Sequence, residues 1–239
     1  MLDEKVEKAL PAFVEEMKSL FGAELISLNL FGEGAIGDAG RNHTKLLAVL
    51  SEVGPAQLKK YAGVHGKWLK KGVHPPLMLT PDTMETSTDV FPMEFFEMKE
   101  SYRLLHGKDI LAGLEISHEN LRRQCEEQVK GKFIHLRQSY MEVAGDRKGL
   151  AQLIAASIGP FTEVMRNVLR LTGDHIHVQK EAIIKEFCEK TGLDDAPFMG
   201  ALSLRRGADL PGMEQIERLF CAYLAEAGKM AEKIDKMEL

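Results

Sequence analysis

The chain has little cysteine, few aromatic residues and no excess of basic charge. Its three cysteines among 239 residues, at 125, 188 and 221, are too few and too widely spaced for a disulfide framework or a cysteine metal cluster. Their helical spacing predicts buried thiols in a reducing compartment. A net charge of −5 gives no electrostatic footprint for nucleic acid. No apolar run approaches the roughly 20 residues that span a bilayer. Asp3, Glu4, Glu7, Glu15 and Glu16 argue against a secretory leader. The expected location is cytoplasmic, with neither nucleic acid nor membrane as a partner. The chain also has no Walker loop and no Gly-x-Ser-x-Gly elbow, which removes the commonest sequence signs of P-loop and α/β-hydrolase chemistry.

What is present is a stretch that organises the rest. Residues 24–50, ELISLNLFGEGAIGDAGRNHTKLLAVL, predict a strand, a glycine-punctuated connection with a short helix, and a second strand. From Leu25 to Phe31, alternation puts Ile26, Leu28 and Leu30 on one face, with Ser27 and Asn29 interrupting the other. Phe31-Gly32 ends this strand. Gly32, Gly34, Gly37 and Gly40 then permit a sharp reversal or a close approach to a ligand. Leu46 to Leu50 is a continuous apolar run, the pattern of a strand covered on both faces.

This frame resembles the nucleotidyltransferase superfamily, in its small bacterial and kanamycin-nucleotidyltransferase-like branch. That signature runs strand, Phe-Gly-Ser, a short helix, then Ser-Asp-x-Asp leading into an apolar strand. Here the frame stands as Leu30-Phe31-Gly32, Gly37-Asp38 and Leu46-Leu47-Ala48-Val49-Leu50, but Glu33 takes the place of the serine. His43 and Lys45 take the places of the two metal-binding aspartates. The resemblance covers residues 1–115 and implies an α+β fold. A nucleotidyltransferase-like mixed-sheet domain over 1–115 would precede an all-α antiparallel helical bundle over 116–239.

The departures matter chemically. Residues i and i+2 of a strand project to one side, so positions 43 and 45 face a common site. Two carboxylates there would hold Mg²⁺ and so stabilise the attacking and leaving oxygens. A lysine ammonium at 45 repels that ion, and Glu33 repels a triphosphate. In the family a later strand adds a third carboxylate; Glu94 is the best match, with Asp89 and Glu97 as rivals. The plain alternative is an edge strand with its acids in water, since Pro92 cannot donate to a ladder.

The expected protein is therefore a nucleotidyltransferase fold without metal-dependent transfer, serving as a ligand-binding or interaction module. Its ligand positions would be Gly32, Glu33, His43, Lys45 and Glu94, with no metal and no cofactor. His43 and Lys45 suit a nucleotide or another small anion without metal; alternatively, Lys45 pairs with Glu33 and fills the former site. The competing expectation is an active nucleotidyltransferase. It would move a nucleotidyl group from a nucleoside triphosphate to a small-molecule or protein acceptor, with Mg²⁺ on carboxylates drawn from Asp38, Asp89, Glu94 or Glu97.

Around this frame the periodicity is largely helical. Val6, Leu10, Phe13, Val14, Met17 and Leu20 mark one helical face, with Pro11 at a start or kink. Residues 55–71 predict a helix whose five lysines form a solvated face. Residues 75–80 predict a strand, and Thr80-Pro81-Asp82 a helix start. Lys99 to Gly107 predicts a helix or turn that closes the first domain. From Ser117 onward, apolar stripes near 121–143, 150–168, 178–190, 196–204 and 213–237 predict an antiparallel bundle whose long helices are compatible with a homodimer. His175 and His177 read as a polar loop without a third metal ligand.

Overall fold

The structure, a computed structural model, describes residues 4–32, 45–173 and 179–238. Glu33, Asp38, His43, His175 and His177 lie outside the described residues. The chain divides into two compact units, Met1–Ser117 and His118–Leu239. The fold is α+β: the first unit carries a small mixed sheet, and the described elements of the second are all helices.

The first unit begins with α1 (Glu4–Phe21) and a 3₁₀ turn, followed by β1 (Leu25–Phe31) and β2 (Lys45–Leu50). Then come α2 (Pro55–Leu69), β3 (Leu77–Leu79), α3 (Pro81–Thr86), α4 (Pro92–Glu100) and β4 (Tyr102–Gly107). The strand order is β3-β2-β1-β4. β1 is antiparallel to both β2 and β4, whereas β3 runs parallel to β2.

Register assigns the two faces of this sheet. Leu28 lies opposite Ala48 and Leu30 opposite Leu46; Ser27 lies opposite Val49, Asn29 opposite Leu47 and Phe31 opposite Lys45. Cross-strand partners point the same way. The first set packs with Phe13 and Met17 of α1 and Tyr61 and Trp68 of α2. The second set includes Phe31, Leu47 and Val49, which pack with Met84 of α3, Phe95 and Met98 of α4, and Leu111 and Leu114. β2 is thus covered on both sides, and Leu46 to Leu50 are all buried.

Several expectations require correction. Ile26 packs on the second face, apart from Leu28 and Leu30, because the β1–β2 register shifts between Leu25 and Ser27 and a bulge reverses side-chain parity. Ser27 and Asn29 are fully buried. Asn29 Nδ2 donates to Ser27 Oγ at 2.9 Å. Of the two expectations for Pro11, a helix start or a kink, the start is excluded, since Pro11 lies inside α1. The segment expected to bring a third carboxylate on a strand is helix α4, with Pro92 in its first turn. The helix or turn expected over Lys99 to Gly107 is largely edge strand β4.

In the second unit the helices are α5 (His118–Val143), α6 (Arg147–Leu171), α7 (Lys180–Thr191), α8 (Ala196–Arg205) and α9 (Met213–Asp235). Asp146 caps α6 by accepting from the Lys148 amide, and Gly192 ends α7 in the left-handed region at φ 67°. Tyr223 is buried against Phe161 and Phe198 in edge-to-face contacts. Burial pushes the Cys125 and Cys188 thiols up to about 12, so both are protonated and inert at neutral pH. Cys221, expected to be buried, is exposed. No described helix is long and apolar enough to cross a membrane.

Candidate functional site

The site is built where β1 ends, β2 begins and α4 passes over them. Lys45 opens β2 and shares its face with Leu47 and Val49. On α4, Pro92, Phe95 and Met98 are buried at intervals of three, which holds the helix against this face. Glu97 is thereby carried to the head of β2. Its Oε1 accepts a hydrogen bond from Lys45 Nζ at 2.6 Å. The same ammonium lies 5.9 Å from the centroid of the Phe31 ring.

Gly32 closes the floor. Its φ of +78° lies in the left-handed region, and a Cβ there would stand 3.1 Å from Glu97 Oε1 and 3.4 Å from Lys45 Cδ. Glycine is the residue that meets both demands without strain. One helical turn beyond Glu97, Ser101 ties α4 to β1: its hydroxyl donates to the Gly32 carbonyl at 3.2 Å, and its carbonyl accepts from the Gly32 amide at 2.9 Å. The lysine side chain is 45% exposed and the glutamate 24%. A pair this open contributes about 0.2–1 kcal/mol, so its significance lies in charge placement more than in stability.

Of the sequence-predicted positions, Gly32 and Lys45 come together. Glu94 sits in the first turn of α4 with its side chain exposed; the carboxylate that meets position 45 belongs to its rival, Glu97. Asp89 is exposed in the turn before α4. β3, the strand beside β2, presents Leu77, Met78 and Leu79, so no acid enters from there. Glu33 and His43 are outside the described residues, and the described partner of Lys45 is Glu97. Among the described residues, no group of three or more histidines, cysteines or carboxylates is placed to hold a metal ion. The pairing with Glu97 went unread because it joins residues 52 positions apart. The signal within reach was the three-residue spacing of Pro92, Phe95 and Met98, which marks the segment as a helix with Glu97 beside its buried face.

A cavity of about 610 Å³ lies between α3 and the segment after β4. Among the described residues, Glu85, Asp109 and Glu115 line it with one cation, Lys108, around Met84 and Leu114. Tyr102 Oη donates to both Asp109 oxygens at 2.8 Å. Burial, then the Asp109 contact, holds the Tyr102 phenol above its ordinary value. With three carboxylates to one ammonium, this cavity repels phosphates. Comparison with known proteins finds no family model that matches the chain and no matching curated protein.

Proposed function

We propose that the chain is a nucleotidyltransferase-like protein that has lost metal-dependent nucleotidyl transfer and binds a small anion, a nucleotide being the leading class, at the head of β2. The observation that carries this reading is the Lys45 ammonium, held by Glu97 at 2.6 Å where the resemblance expects an aspartate carboxylate. A fixed positive charge there disfavours a divalent cation and favours an oxyanion. The ammonium is partly exposed and so within reach of a ligand. The inert buried thiols suit a reducing, cytoplasmic setting.

Isothermal titration of the protein with ATP and GTP, each with and without Mg²⁺, tests the proposal. Binding without metal that disappears in Lys45→Ala is the expected result. Binding that requires Mg²⁺ would favour an active transferase instead.

A further inference from the structure

Glu97 is more than a neighbour of the site. We infer that its carboxylate is a built-in competitor: it neutralises the Lys45 ammonium and accepts from one of its donors, so that an incoming oxyanion and Glu97 compete for the same charge. This inference rests on the anion-binding reading above and deepens it. The ligand class it names is a phosphate monoester, recognised without metal.

Three observations support it. Glu97 Oε1 stands 2.6 Å from Lys45 Nζ, the distance of a charge-assisted hydrogen bond to any carboxylate or phosphate oxygen. Glu97 is tethered rather than free, because Ser101 one turn further on is hydrogen-bonded to Gly32 in both directions and Phe95 and Met98 anchor the same helix in the core. The pair is only partly buried, at 45% and 24% exposure. It therefore opens at little cost, and a dianionic phosphate with three acceptor oxygens outbids a single carboxylate for the ammonium. Once displaced, the Glu97 charge remains close and still weakens the bound phosphate.

The test uses the full chain titrated with inorganic phosphate and with AMP in the absence of metal, for wild type, Glu97→Gln, Glu97→Ala, Glu94→Gln and Lys45→Ala. Circular dichroism first establishes that each variant is folded. Removing the competitor is expected to tighten phosphate binding about two- to fivefold in both Glu97 variants, the range set by opening an exposed ion pair. Glu94→Gln removes the same charge from the exposed first turn of α4 and is expected to change affinity by less than half as much. Lys45→Ala abolishes binding. AMP binding tighter than phosphate assigns a nucleotide as the source of the phosphoryl group; equal affinity assigns the phosphate alone. If wild type binds phosphate but Glu97→Gln binds it no more tightly, or Glu94→Gln matches it, the competitor role is overturned while the anion site stands. If no protein binds either probe, the anion reading itself falls.

Discussion

On the face covered by α1 and α2, β1 and β2 present Leu28, Leu30, Leu46 and Ala48 to Phe13, Met17 and Trp68. On the other face the same strands place Ser27, Asn29 and Lys45 among Leu47 and Val49. The first face is a large apolar core with an edge-to-face Phe13–Trp68 contact, ring centroids 5.1 Å apart. The second buries a polar pair whose Asn29 Oδ1 has no hydrogen-bond partner among the described residues and ends in an ion pair. Burying polar groups is costly unless they are bonded. The difference teaches that the α1–α2 face is apolar throughout, while the α4 face combines an apolar core with a buried polar pair and the Lys45–Glu97 ion pair.

Substitutions on the two faces should sharpen this contrast. The largest effect is expected from Phe13→Ala, fully buried in the first core: a loss of about 3–5 kcal/mol in urea unfolding, with Lys45 chemistry untouched in any protein that still folds. Next comes Tyr61 on the same face, whose phenol burial pushes up to about 12 from an ordinary value near 10. Because the folded state holds this proton more tightly, Tyr61 stabilises fully below about pH 10 and progressively less toward pH 12. Unfolding midpoints measured across that window should fall, and Tyr61→Phe should flatten the fall. On the second face, Ser27→Ala removes the acceptor of the Asn29 amide and is expected to cost about 1–3 kcal/mol. The double variant with Asn29→Leu should recover part of it by removing both orphaned groups. The smallest effect belongs to Lys45→Met, at most about 1 kcal/mol of stability. A larger loss would mean that the ion pair holds the fold after all.

Much of the fold was legible in the sequence. The unbroken apolar run Leu46 to Leu50 announced a strand covered twice, and Phe31-Gly32 marked the end of β1 because glycine alone accepts the backbone there. The long helices of the second unit followed from their stripes. The failures have physical causes. A bulge reverses the parity of Ile26, which no alternation count detects. Residues 92–100 mix one proline, Pro92, with phenylalanines and acids in a way that suits a strand as well as a helix. The deciding signals were Pro92 at the first helical turn and the three-residue spacing of Phe95 and Met98. β4 is an edge strand with Leu104 left exposed, and such short edges carry a weak pattern. Gly32 and Lys45 were named from the motif and lie side by side, whereas Glu97 as the partner of Lys45 required the tertiary packing of α4.

The most direct test of the claim that an ammonium stands at the head of β2 in place of a metal ion is Mn²⁺ titration followed by paramagnetic broadening of backbone amide NMR signals. In the wild type, no broadening should centre on Gly32, Lys45 or Glu97, and Lys45→Asp, which sets a second carboxylate opposite Glu97, should acquire it. Saturable broadening centred on those residues in the wild-type protein would contradict the account.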